Sequence, residues 1–225
     1  MIEEVKKQVN NLLGKDTSGH DMDHVNRVLN LSLKFAEKEN ANKKIVSLIA
    51  LLHDVDDYKL FGKESQENLT NAKRIMENAN VPAEDQNKVC ESLKCIGYSK
   101  RLNGLVAETI EGKIVSDADM CDALGAVGIL RVHKFGLKIN RPFFEKNIYP
   151  TDDKSYDYHM KKTVSTINFI IEVLLKYKNL MLTNAGIEEA KERHKIIVDF
   201  LYHFFKEENV SEWIKYLDNY IKINS

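Results

Sequence analysis

The apolar run IVSLIALL, Ile45 to Leu52, meets four ionisable side chains in the next five residues: His53, Asp54, Asp56 and Asp57. This junction constrains the fold more than any other feature of the chain. A segment apolar on most of its sides reads as a helix from Ile45 to about Asp56 at the centre of the fold. An ionised carboxylate there is costly unless it is paired or bound to a metal. Consecutive helical residues point about 100° apart, so one central object between their directions can touch both His53 and Asp54. A divalent cation suits that geometry.

Helical spacing recurs along nearly the whole chain, and no alternating β-branched run suggests a sheet. Val25, Val28, Leu29, Phe35 and Ala36 make one stripe on a helix from about Asp21 to Glu39. Pro82 fits the start of a helix running to about Ile96. The stretch SDADMCDALGAVGILRVHKFG reads as one helix opened by Ser116 or Asp117, either of which can cap its first turn. Ala118, Ala123, Gly125, Ala126 and Gly128 suggest close packing against a neighbour. Lys138 to Asp157 reads as a long loop. Helices follow at about 157–180, 185–207 and 211–222, with a break at Asn184 to Gly186. The expectation is therefore all-α: a single helical bundle over 1–225. Its chemistry-bearing core spans about 18–135, with additional C-terminal helices at about 157–222.

Charge and composition exclude several classes. Lys and Arg number 33 against 34 Asp and Glu, for a net charge of -1. Gripping nucleic acid by bulk charge needs a basic surface, so no nucleic-acid binding is expected. No apolar stretch approaches the ~20 residues that span a bilayer, and the N-terminus lacks the apolar core of a signal peptide. No membrane partner is expected, and the location expected is cytoplasmic. Cys90, Cys95 and Cys121 form no CxxC pair and are odd in number, so they read as reduced thiols. No GxxxxGK[ST] loop is present, so ATP-driven work is not suggested.

A metal at His53 and Asp54 needs further ligands. His20, His24 and Arg27 fall on one face of their helix, continued by Leu31. Downstream, Asp119 lies two residues beyond Asp117, and Asp122 is spaced to brace Asp119. At this point the chain resembles a known family. The order His24, His53-Asp54, Asp119 is that of the H…HD…D set of the HD-domain metal-dependent phosphohydrolases. HDMDHVNRV is similar to the HDxxHxxRV entry helix, and ALLHDVDDYK to the HD helix. IVSDADMCDALGAVGI is similar to DADxxDALGA, and KERHKIIVDFL to a C-terminal helix of a small stand-alone bacterial branch.

The resemblance implies an all-α fold and one divalent metal ion held by His24, His53, Asp54 and Asp119. It also implies hydrolysis of a phosphate ester or anhydride, often of a nucleotide, by a metal-activated water. A mixed nitrogen and oxygen ligand set suits Mn, Mg, Fe, Co, Ni or Zn. Two-metal members of the superfamily carry extra histidines between the HD pair and the last ligand. No histidine lies between His53 and His133 here, which favours one ion and hydrolysis.

Other residues keep two readings each. Asp57, where the family often has Glu, is either a general base orienting water or a brace for a ligand. Lys59 and Arg27 either meet phosphate oxygens or pair with Asp56, Asp57 or Asp117. His20 either contacts the scissile phosphate or solvates the mouth of the site. Gly97 to Arg101 is either a solvated turn or a loop bringing Tyr98 and Lys100 to the substrate. His133, His159, His194 and His203 read as surface or packing residues. Aromatic and apolar residues in INFIIEVLLKY and FLYHFF read as core. Two rival activities are an alarmone-type 3′-pyrophosphate hydrolase and a non-catalytic metal-bound nucleotide sensor or adaptor. No feature of the sequence sets an oligomeric state.

Overall fold

In a computed structural model, the described residues are 1–16, 19–151 and 163–223, and they contain helices but no strand. The helices are α1 (Ile2–Leu13), α2 (Met22–Lys38), α3 (Lys43–Leu52), α4 (Tyr58–Asn68), α5 (Thr70–Asn78) and α6 (Ala83–Leu93). There follow α7 (Tyr98–Leu102), α8 (Ile110–Asp122), α9 (Gly125–Lys138) and α10 (Thr166–Glu172). A 3-10 helix (Leu174–Leu180), α11 (Asn184–Glu207) and α12 (Ser211–Ile223) complete the described chain. The opening part of the helix expected at about 157–180, and His159 within it, lie outside the described residues.

The centre is built as the apolar run demands. Every residue from Ile45 to Leu52 is buried. α2 and α8 pack on α3 and on each other, while α1 and α6 cover the remaining sides of α3. α3 is shorter than expected, because it stops at Leu52 instead of reaching Asp56. The acids themselves end it. Asp57 is the N-cap of α4, accepting from the Lys59 backbone N–H at 2.9 Å. Asp56 is buried and accepts from the Asn71 and Ala72 backbone N–H groups, each at 2.9 Å, and from the Ser65 hydroxyl. These carboxylates satisfy the free N–H groups at the starts of the next two helices, which a longer α3 would leave bare.

The helix expected to open at Ser116 or Asp117 begins earlier. Thr109 caps α8, its hydroxyl accepting from Gly112 N at 3.1 Å, so Ser116 and Asp117 lie inside the helix. Asp117 serves a tertiary purpose instead. It accepts from Thr183 N at 2.8 Å, from Thr183 Oγ1 at 2.7 Å and from Leu182 N at 2.9 Å, stapling α8 to the start of α11. Thr183 caps α11, so Asn184 to Gly186 form its first turn instead of a break. The same long stretch also divides after Asp122. Gly125 has φ of 71°, which turns the chain into α9. Of the small residues there, Ala118, Gly125 and Gly128 are buried, but Ala126 is exposed.

α9 and α11 pack together beside α8, with the 3-10 helix against α11. α12 closes over α11. Trp213 is fully buried, and its indole N–H donates to Lys146 O at 2.9 Å, tying the segment after α9 to the C-terminal helices. The core assignment of Phe169, Ile170, Leu174, Leu201 and Phe205 holds, since all are buried. α6 ends at Leu93 rather than near Ile96, and α1, α4, α5 and α7 are additional to the expected helices. All three cysteines are free. No helix among the described residues is long and apolar enough to cross a membrane.

Candidate metal centre and its cavity

Three segments converge where α3 ends. His24 comes from the first turns of α2, His53 and Asp54 from the C-terminus of α3, and Asp119 from the last turns of α8. The Nε2 atoms of His24 and His53 are 3.1 Å apart. Asp54 Oδ2 lies 3.3 Å from the first and 3.4 Å from the second. Asp119 Oδ1 lies 3.5 Å and 3.9 Å from them. Both imidazole side chains are almost wholly buried.

Hydrogen bonds on the far side of each ring fix what it presents to this centre. His53 Nδ1 donates to Ala50 O at 2.8 Å, and His24 Nδ1 donates to Asp122 Oδ2 at 2.7 Å. With Nδ1 occupied as a donor, each neutral ring turns a bare Nε2 lone pair inward. Two such lone pairs and two carboxylate oxygens meeting at these distances require a shared positive charge. Without a metal, a proton answers that need. Burial disfavours protonated His53, but Asp54 and Asp119 outweigh it and lift its pKa to about 9. Burial would raise Asp54, but His53 and His20 outweigh it and hold its carboxyl well below the usual range. A divalent cation meets the same need with two charges, and the donor set of imidazole nitrogen and carboxylate oxygen fits it.

Asp122 anchors this cluster from behind. Besides His24, it accepts from Arg27 Nε at 2.7 Å, Arg27 Nη2 at 3.1 Å and Arg131 Nη1 at 2.8 Å. Burial pushes its pKa up, yet these donors hold it far below the usual carboxylate range. Two expectations are thereby corrected. Asp122 braces His24, not Asp119. Arg27 pairs with Asp122, not with Asp56, Asp57 or Asp117, and its guanidinium does not line the cavity. Arg27 sits one turn beyond His24 on α2, so both meet the same carboxylate arriving from α8.

A cavity of about 210 Å³ opens in front of the cluster, lined by His20, His24, Asp54, Asp57 and Asp119. Lys59, Tyr98, Lys100, Arg131, Phe169 and Tyr177 also line it. His20 Nδ1 is 2.8 Å from Asp54 Oδ2. Asp57 reaches the cavity as the cap of α4 rather than from the same helix as His53. Lys100 faces the cavity while its ammonium donates to Leu93 O at 2.8 Å, and burial lowers its pKa. The Tyr98 ring packs on Tyr177 at 4.7 Å between centroids. The stretch expected as a turn or loop at Gly97 to Arg101 is thus the cap and body of α7 at the mouth, not a solvated turn. His133, His194 and His203 are absent from the cavity wall, and His133 packs edge-on against Phe143. Arg131, on α9, joins Asp122 to Gly19 O at 3.0 Å and faces the cavity. No local pattern in RVHKFG distinguishes it.

The family model described as HD domain matches residues 21–124, a span that begins at the α2 cap and ends just after Asp122. The Bacillus subtilis (strain 168) protein YpgQ is 31% identical over 209 residues, covering 91% of this chain and 92% of the relative. The chain belongs to the HD-domain family. Among solved structures, a Bacillus thuringiensis HD-superfamily hydrolase superposes with a TM-score of 0.72 at 34% identity, covering 92% of this chain and 96% of that one. Bacillus subtilis YpgQ in complex with ADP superposes at 0.69 with 27% identity, covering 92% and 94%. The HD dipeptide of this chain is the His53-Asp54 pair at the centre just described, and its fold is that of the HD-superfamily hydrolases.

Proposed function

We propose that the chain is a metal-dependent phosphohydrolase that cleaves a phosphate ester or anhydride of a nucleotide. One observation carries the reading. The Nε2 atoms of His24 and His53 lie 3.1 Å apart, and one carboxylate oxygen each from Asp54 and Asp119 lies within 3.9 Å of both, beside a cavity that His24, Asp54 and Asp119 line. Those four residues would hold the ion. A divalent ion there would act as a Lewis acid and would make hydroxide available near neutral pH.

The chain's own residues supply the rest. Asp57, on the cavity wall, orients the attacking water and accepts its proton. His20, on the cavity wall and bonded to Asp54, contacts the scissile phosphate. Lys59, Lys100 and Arg131 neutralise phosphate oxygens, with Arg131 taking the place expected for Arg27. Phe169 and Tyr177 offer a flat apolar wall to a base, with Tyr98 packed against the second. The nucleotide class is also supported by the ADP complex of YpgQ.

The test is a nucleotide panel in which orthophosphate and pyrophosphate release are measured separately, with elemental analysis of the purified protein. Activity dependent on a divalent ion is expected, and Asp54→Ala should abolish it. Unchanged turnover in that variant, or bound metal with no turnover of any phosphate compound, overturns the reading.

A further inference from the structure

A second cavity of about 180 Å³ adjoins the first and shares Arg131, Phe169 and Tyr177 with it. The residues it does not share are apolar, with Val132, Phe135 and Leu174 the largest. Phe135 comes from α9 and Phe169 from α10, so the shape of this cavity depends on how those two helices meet.

A buried cation stands behind both rings. The Arg141 Cζ atom lies 4.7 Å from the Phe169 centroid and 6.0 Å from that of Phe135, yet Arg141 lines neither cavity. The backbone puts it there. Asn140, with φ of 54°, follows the end of α9 in the left-handed conformation, and Arg141 N then donates back to Gly136 O at 2.8 Å. The next two residues hold the start of α10: Thr166 N donates to Pro142 O at 2.9 Å and Ile167 N to Phe143 O at 3.1 Å. Glu172, buried at the other end of α10, supports the charge on Arg141 against the cost of burial. That cost is real, and an apolar side chain would fill the space without it. What the guanidinium adds is direction. A flat cation is attracted to the face of an aromatic ring, so it restrains the tilt of each ring as well as the gap between them.

We propose that Arg141 is a positioning residue for nucleoside binding: packed against Phe135 and Phe169, it sets those rings as walls on which the base of a nucleotide stacks. The proposal rests on the nucleotide part of the reading above. It concerns the nucleoside end of the ligand, because Arg141 meets the aromatic walls and lines no part of the cavity that holds the phosphate-binding side chains.

The experiment is equilibrium dialysis of the full chain, with Mn²⁺ present, against ADP and separately against inorganic pyrophosphate, a diphosphate without a nucleoside. Arg141→Met should weaken ADP binding about tenfold, the scale of one stacked base, and leave pyrophosphate binding as in wild type. Arg141→Lys keeps the charge but not the flat guanidinium, and should recover part of the loss. In a Phe169→Leu background, Arg141→Met should cost less than in the wild-type chain, because its influence passes through that ring. Equal weakening of both probes overturns the proposal, since a distorted fold produces that result. Unchanged ADP binding in Arg141→Met, no ADP binding by wild type, or an undiminished effect in the Phe169→Leu background overturns it too. Should Arg141→Met not fold, Arg141→Lys carries the same comparison: a loss confined to ADP supports the proposal, and no loss overturns it. Turnover in the nucleotide panel is a separate result. A chain that binds ADP but hydrolyses no phosphate compound loses the phosphohydrolase reading and keeps this one.

Discussion

Asp122 spreads two carboxylate oxygens over His24, Arg27 and Arg131, drawn from two different helices. It has no direct place in the proposed ligand set, yet it decides how His24 presents itself. By accepting from Nδ1 it keeps the imidazole in the tautomer whose Nε2 faces the cluster, and it holds the ring orientation. Asp122→Ala should therefore weaken metal binding by about 10–100-fold, the usual effect of losing a partner behind a ligand. Calorimetric titration with Mn²⁺ measures this. An affinity equal to wild type would mean that the ring is held by packing alone. The ligand residues themselves were legible in the sequence because each sits in a local pattern: a helix face, the end of an apolar run, a spaced acid. The partners of Asp122 were not. The three-residue spacing to Asp119 suggested a local brace, but a buried carboxylate takes whichever donors the fold brings, and here these came from α2 and α9.

At the scale of elements, the junction between α8 and α9 carries the site. Asp122 ends one helix, Arg131 lies on the next, and they meet at 2.8 Å because the chain turns between them. Gly125 makes that turn with φ of 71°. A Cβ placed there would meet the Arg193 side chain at 3.4 Å, an ordinary contact, so the cost of a larger residue is one of backbone conformation. Gly125→Ala should lose about 1–2 kcal/mol of stability, the penalty of an L-residue in the left-handed region. Urea denaturation reads this directly, and an unchanged midpoint would reject the account. The sequence, read for apolar periodicity, ran α8 and α9 together, since both helices keep helical spacing on either side of the turn. It likewise ran α3 through to Asp56. In both places a capping or turn residue, Asp57 or Gly125, overrode a periodic signal that carries no information about where a helix stops. Long apolar helices were legible; α4, α5 and α7, which bury few or no large side chains, were not.

Across the whole molecule, the candidate centre joins α2, α3 and α8, which are also the helices that form the middle of the core. The C-terminal helices are tied to the same unit through Asp117, which holds the start of α11, and through Lys34 with Glu189 at 3.0 Å. An expectation of one domain over 1–225 then has a thermodynamic consequence. A ligand that binds only the folded state adds about 2.7 kcal/mol at a hundred times its dissociation constant. For a chain of this size, that is a rise in Tm of about 5–10 °C. The ion should act on the entire chain because its ligands come from the central helices, and because without it Asp54 and Asp119 face each other across two imidazoles with only a proton between them. Differential scanning calorimetry should show one transition, moved as a whole to lower temperature by a chelator and restored by added Mn²⁺. Two transitions, with only one responding to the chelator, would separate the C-terminal helices from the metal-binding core and overturn the single unit. A single transition indifferent to the chelator would instead deny that the ion is held between α2, α3 and α8.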